Sequence, residues 1–135
     1  MFQAPRGTQD VLPEDQPYWE AVEAQIRRIT PLFGYRRMDV PMFEDTGLYV
    51  RGVGEGTDIV DKEMYTFQDK DGDLLTLRPE FTAGLMRAYL EQGMHTRPQP
   101  VKVYAIGPLF RYERPQAGRL RQHTQFDVEA IGEAD

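Results

Sequence analysis

Cysteine is absent from the 135 residues, so neither a disulfide nor a thiolate metal site can form, which fits a reducing cytoplasm. No apolar run approaches the ~20 residues that a membrane-spanning helix needs. The first residues, MFQAPR, lack the apolar stretch of a secretory signal. Bulk positive charge is missing too. A formal net charge of -6 argues against a protein that binds nucleic acid by overall electrostatics, so any anion site has to be local. Internal repeats and low-complexity linkers are also lacking. What is present is a chain that is 40% apolar with aromatics well represented, enough for a core and unlike a disordered segment. Its length suits at most one ordinary domain, or part of a larger one.

The opening residues 4–13 (APRGTQDVLP) are rich in turn formers and read as an extended, turn-containing segment. Trp19, Val22, Ile26 and Ile29 then recur at steps of three and four, with Glu20, Glu23, Arg27 and Arg28 on the other side. Acidic residues open the run and basic ones close it, as the helix dipole favours. The spacing predicts a packing helix from about Glu14 to Thr30, ended or kinked by Pro31 with Gly34 as a stop. Residues 35–40 (YRRMDV) and 41–44 (PMFE) are short alternating pieces around a proline. They predict a two-part strand at a sheet edge, suited to a subunit contact or a domain boundary. Residues 52–58 (GVGEGTD) resemble a glycine-rich phosphate loop. No buried-type strand precedes them, no lysine follows at the P-loop position, and Glu55 and Asp58 repel phosphate, so a flexible loop that could act as a lid is the expectation. Asp71-Gly72 between residues 64–67 (MYTF) and 74–77 (LLTL) predicts a hairpin. A calcium loop is excluded there by spacing and by the lack of a distal glutamate. A second helical run follows Pro79, with Leu85, Met86, Tyr89 and Leu90 as its apolar face and Gly93 as its stop. Glu80 and Thr82 therefore sit at a strand-to-helix junction, where spacing alone favours capping of the helix amides. His95 reads as a surface residue.

After a β-type run at residues 101–106 (VKVYAI) and Gly107-Pro108 comes the most distinctive stretch, residues 110–129 (FRYERPQAGRLRQHTQFDVE). Arg111, Arg114, Arg119 and Arg121 crowd into it within an otherwise acidic chain. Strand alternation puts Arg111 and Glu113 on one face. On the return strand His123, Gln125, Asp127 and Glu129 share a face, and Thr124, Phe126, Val128 and Ala130 share the opposite, mostly apolar one. A turn centred on Ala117-Gly118 would bring Arg111 opposite about Gln125 and Glu113 opposite about His123, with the apolar face on the core. The polar face, Arg111, Glu113, His123, Gln125 and Glu129, combines a guanidinium suited to carboxylate or phosphate with groups that hold an amine or imidazole N–H. A solvent-exposed face with cross-strand ion pairs is the blander alternative. The arginine surplus favours a site for an anionic, phosphate-bearing ligand.

Residues 110–125, with their ERPQ-x-GR-x-R pattern, resemble the second signature motif of class II aminoacyl-tRNA synthetases, and the histidyl-tRNA synthetase family in particular. Residues 6–13 (RGTQDVLP), residues 40–44 (VPMFE), which resemble the first class II motif, and residues 76–83 (TLRPEFTA) agree, in the family's order and across the whole chain. The resemblance implies an α+β fold, an antiparallel sheet flanked by helices, here an incomplete class II catalytic domain spanning residues 1–135. It implies a cytoplasmic, ATP-dependent ligase that activates L-histidine as histidyl-adenylate and charges tRNA(His). ATP would be a substrate accompanied by Mg2+, and the protein itself would hold no metal. By the same resemblance Glu80, Thr82, Gln125 and Glu129 hold histidine, and Arg111 bridges the amino-acid carboxylate and the α-phosphate as the catalytic residue. Glu113 and His123 serve the adenine side of ATP, and Arg119 the outer phosphates; His123 stands where the family usually has a phenylalanine. The Pro41 segment implies a homodimer contact. The family's third motif, its histidine-specific arginine and tyrosine segment and its anticodon-binding domain are not among these residues. The isolated chain is therefore expected to turn over weakly or not at all. The related alternative is the histidine-binding regulatory subunit of ATP phosphoribosyltransferase, a synthetase-like protein that charges no tRNA; the intact arginine pattern favours the enzyme. A stand-alone RNA-binding module is disfavoured by the acidic whole.

Overall fold

The computed structural model describes residues 1–53, 63–112 and 120–132. Helix α1 (Gln16–Ile29) follows a 3-10 turn at Pro13–Asp15 and runs into a second one, Thr30–Phe33. Gly34 stops it in the left-handed region (φ 81°), which glycine adopts without a side-chain clash, and its amide bonds back to Pro31 O at 3.0 Å. The expected helix is thus present to within two residues at either end. Its cover is thin: Trp19 and Ile26 are half-buried, while Val22 stays 59% exposed.

Two three-stranded sheets are built among the described residues. Strands β1 (Arg36–Arg37), β5 (Val101–Phe110) and β6 (Gln122–Ile131) form one in the order β1-β5-β6, with β1 parallel and β6 antiparallel to β5. Strands β2 (Phe43–Asp45), β4 (Leu74–Leu77) and β3 (Tyr65–Gln68) form the other, antiparallel throughout, in the order β2-β4-β3. The two pieces around Pro41 are both outer strands, but of different sheets. The β3–β4 hairpin closes as expected: Gly72 has φ 92°, and Asp69 Oδ1 accepts the amides of Asp71 and Asp73 at 3.0 Å. Helix α2 (Thr46–Val53) follows β2 directly, and Asp45 Oδ1 accepts the Gly47 amide at 2.8 Å in its first turn. The remainder of the glycine-rich stretch, from Gly54 on, lies outside the described residues. Helix α3 is Thr82–Glu91.

The register of the long hairpin corrects the expected one. Gln125 lies opposite Gly107 and His123 opposite Leu109, and the Arg111 amide bonds to Arg121 O at 2.9 Å. The pairing is displaced by four residues from the expected one because β5 does not stop at Gly107-Pro108. Parallel pairing with β1 ends at Tyr104, so the N–H that Pro108 lacks removes no ladder bond on that side. Pro108 O is taken by Arg78 Nε at 2.8 Å, and the Phe110 amide bonds to Arg78 O at 3.0 Å. A displacement of four preserves the faces, since alternation repeats every two residues.

The side expected to meet the core is also corrected. Phe81, Leu85, Ala105 and Leu109 form one buried cluster, and Tyr89, Met94, Val103 and Ile131 another, with Met38 against both. The odd-numbered residues of β5 therefore face α3 and the core, and their cross-strand partners are His123, Gln125, Asp127 and Glu129. The polar face of β6 is the covered one, its side chains half-buried, while Phe126 and Val128 on the other face stay more than 40% exposed. On that side Trp19, Val22 and Ile26 of α1 line a shallow groove with Ile106, Thr124 and Phe126.

Arg78 ties the two sheets together. Only 5% exposed, it donates to Pro108 O at 2.8 Å and to Val40 O at 3.1 Å, and its guanidinium carbon lies 4.7 Å from the Phe81 ring centroid. A Cβ at Gly107 would fall 2.7 Å from Arg78 Nη2, so glycine there makes room for the guanidinium. Arg78→Ala strands two half-buried carbonyls and empties the space of a buried side chain, and we expect a loss of about 3 kcal/mol, read as a lower urea midpoint at unchanged m-value. A midpoint within experimental error of the parent would contradict this role.

Candidate active site

The segment joining β4 to α3 is held rigidly from beneath. Thr76, with no exposed surface, meets the hydroxyls of Thr46 at 2.8 Å and Thr66 at 2.9 Å. Arg78 anchors the next turn. Pro79 is fully buried, and its carbonyl accepts Arg111 Nε–H at 3.0 Å. From this base Glu80 and Thr82 project at the start of α3. Both Glu80 carboxylate oxygens lie 3.2 Å from the Ala83 amide, so the capping contact is real. It occupies one helix donor and leaves the carboxylate half-buried at the site. Burial pushes the Glu80 carboxyl above its ordinary range, against the amides of Ala83 and Thr82; the charge of Glu129 adds to the rise and that of Arg111 offsets it.

Across from this junction, the Thr82 hydroxyl donates to Glu129 Oε1 at 2.6 Å, a charge-assisted bond over 47 positions of sequence. Glu80 and Thr82 of the β4–α3 junction, Arg111 and Glu129, drawn from three separate places in the chain, are thus linked: Thr82 bonds to Glu129, and the charges of Glu129 and Arg111 both act on Glu80. Gln125 shares the face of Glu129, four residues back along β6, and His123 lies two further on. At ~3.3 Å per residue, Glu129 and His123 stand roughly 20 Å apart on one straight track, long enough for an extended two-part ligand. Glu80 and Thr82 also line a cavity of about 770 Å³ with Leu48 and Met86, between α2 and α3. Glu113 and Arg119 lie outside the described residues.

Asp127, to which the family resemblance gives no role, belongs to this cluster. It sits between Gln125 and Glu129 on the same face, a position that strand alternation alone displays. Burial, then a hydrogen bond with Glu129, then the charges of Glu129 and Glu80 push its carboxyl from 3.8 up to about 7. The native state therefore keeps a proton that the unfolded chain has released, so this group lowers stability as pH rises from about 4 to about 7.

The N-terminal segment closes the far end of the track. The Thr8 amide and hydroxyl both bond to Pro5 O, and Gly7, at φ 80°, receives the Arg121 amide on its carbonyl at 2.6 Å. Arg121 in turn lays its guanidinium 4.2 Å from the centroid of the Tyr112 ring. Chemically, the cluster offers three carboxyls where a cation or N–H donor would sit and one fixed guanidinium for a carboxylate or phosphate.

The sequence profile of the histidyl-tRNA synthetase family matches residues 7–135. A histidine–tRNA ligase of Dehalococcoides mccartyi is 67% identical over all 135 residues, which are 32% of that relative. Among solved structures, apo histidyl-tRNA synthetase of S. aureus superposes with a TM-score of 0.81 at 42% identity, covering 98% of this chain and 30% of that one. An ATP phosphoribosyltransferase regulatory subunit/histidyl-tRNA synthetase from Bacillus halodurans C gives 0.79 at 28% identity, covering 98% and 33%. The chain spans about a third of the length of the relatives it matches.

Proposed function

This chain belongs to the histidyl-tRNA synthetase family, and from that premise we propose that it supplies the histidine and α-phosphate side of an active site that makes histidyl-adenylate and then charges tRNA(His). The observation that carries the proposal is the linkage of these residues around Glu80: Thr82 bonds to Glu129, Arg111 bonds to Pro79 O beside Glu80, and the charges of Glu129 and Arg111 both act on the Glu80 carboxyl. Acidic groups there suit the ligand's ammonium and imidazole N–H. The guanidinium suits its carboxylate and the α-phosphate, which meet during the reaction. In that reaction a histidine carboxylate oxygen attacks the α-phosphorus in line as the bond to the departing pyrophosphate breaks. No protein nucleophile is required; the residues position the reactants and neutralise charge. Gln125 contributes to the amino-acid pocket, and His123, Glu113 and Arg119 belong to the ATP side of the same reading.

Mg2+ enters in this proposal as part of the Mg–ATP substrate. Among the described residues, no group of three His, Asp or Glu side chains is arranged to hold a metal on its own. Homodimerisation through the Pro41 segment belongs to the proposal, supported by Met42 and Phe43, each 49% exposed beside it. A cytoplasmic location is proposed as well; among the described residues no helix is long and apolar enough to cross a membrane. The likeness to the Bacillus halodurans protein supports a second reading, a histidine-binding regulatory role without tRNA charging. Histidine-dependent ATP–pyrophosphate exchange by a full-length synthetase carrying these residues separates the two. Exchange is expected, and histidine binding without exchange would overturn the enzyme reading in favour of the regulator.

A further inference from the structure

We propose that Asp127 is a positioning residue for the amino-acid substrate: it shares a proton with Glu129, and that proton departs when the substrate's ammonium or imidazole N–H docks on Glu129. The inference rests on the reading that Glu80, Thr82 and Glu129 form the histidine pocket. Its own foundation is geometric. Asp127 and Glu129 are neighbours at i and i+2 on one strand face, and Asp127 lies opposite Ala105, which is 1% exposed and offers no polar atom from its side chain. Asp127 Oδ2 is buried and has no hydrogen-bond partner among the described residues. A charged carboxylate oxygen in that position is costly, and a proton shared with the adjacent carboxyl relieves the cost.

The surroundings leave few other ways to neutralise the pair. Glu129 acts on Asp127 from the same strand and Glu80 from the β4–α3 junction, both negative. Helix α3, packed on this face, brings Thr82, whose hydroxyl already engages Glu129 Oε1. Arg87 of α3 is turned away into ion pairs with Glu44 at 2.6 Å and Glu91 at 2.9 Å. Strand β5 presents Val103, Ala105 and Gly107. Arg111, the guanidinium of the cluster, is bonded to Pro79 O and acts on Glu80. Among the described residues no guanidinium forms an ion pair with Asp127 or Glu129, and a ligand cation is the natural replacement for the proton.

The sign follows from competition between that proton and the substrate. Above pH 7 the Asp127 carboxyl is ionised and the ligand is received directly; below pH 7 its proton has to be displaced, so histidine binding weakens as pH falls. Asp127→Asn replaces the shared proton with a permanent amide donor, and Asp127→Ser removes the titrating group. The test is the histidine KM in ATP–pyrophosphate exchange between pH 8 and pH 6, measured on a full-length synthetase carrying these residues and on both variants. Histidine's own ionisation is common to all three proteins and cancels in the comparison. Between those pH values, the parent KM should rise about tenfold more than that of either variant, as expected for one proton with a pKa near 7, while the ATP KM stays parallel. A purely structural role would shift the variant KM equally at every pH. Parallel histidine profiles for the parent and whichever variant folds would overturn the Asp127 inference while leaving the enzyme reading intact. Absence of exchange in the parent would instead overturn the reading beneath it.

Discussion

Arg111→Ala is expected to lower kcat for histidine-dependent ATP–pyrophosphate exchange by about 10²–10³-fold in a full-length synthetase, the range for removing one preorganised donor to developing negative charge. The reason lies in how the side chain is held. Its Nε–H is committed to Pro79 O at 3.0 Å, and Pro79 is fully buried beneath the Arg78 anchor, so the guanidinium plane is set before any substrate arrives. The two terminal nitrogens make no hydrogen bond among the described residues, which leaves a fork facing the site for carboxylate and phosphate oxygens. Charge on the α-phosphate and the entering carboxylate rearranges most in the transition state, so the loss should fall mainly on kcat, with a smaller rise in histidine KM. Arg111→Lys keeps the charge but cannot hold the Pro79 bond and present a fork together, and it should recover less than about a tenth of the lost rate. Stability should drop by only about 1 kcal/mol in the alanine variant, the worth of one hydrogen bond. Near-normal kcat in Arg111→Ala would remove the residue from the reaction.

Parts of this arrangement are legible in sequence because they are local. The α1 stripe, the Asp71-Gly72 turn and the alternation along residues 122–131 each follow from backbone periodicity or turn chemistry, and each is present in the fold. What periodicity cannot decide is which face of a strand is covered. Residues Thr124, Phe126 and Val128 look like the core side of β6, yet α3 lies on the other face, where Val103, Ala105 and Leu109 of β5 pack in the buried clusters that hold Leu85 and Tyr89. The polar residues of β6 are half-buried as a consequence of their neighbour strand. Register was hidden for a similar reason, since Pro108 is tolerated only because β1 is short and Arg78 fills the space beside it. Helix α2 had a signal in Asp45-Thr46, but Gly47 and the glycines from 52 on obscured it. Asp127 was visible on the correct face, and its importance comes from the burial and like charge that tertiary packing supplies.

The second large effect is expected at Glu129. Glu129→Ala should raise the histidine KM by about 10–100-fold, the range for a lost charge-assisted hydrogen bond in a partly desolvated site, and leave the ATP KM within about threefold. The asymmetry follows from position: Glu129 bonds to Thr82 beside Glu80, and it lies roughly 20 Å along β6 from His123, which the proposed reading assigns to ATP. Thr82→Ala should show the same selectivity at several-fold rather than a hundredfold, because it removes only the 2.6 Å bond that fixes the carboxylate's orientation. Since Thr82 acts on the substrate through the Glu129 carboxylate, the double variant should be little worse than Glu129→Ala alone, a coupling that two independent substrate contacts would not give. Glu129 also helps hold the Asp127 proton, so its removal should bring the Asp127 carboxyl down towards its ordinary range and flatten the histidine pH profile at the same time. Equal rises in the histidine and ATP KM values would take Glu129 out of the amino-acid pocket, and additive losses in the double variant would break its link to Thr82.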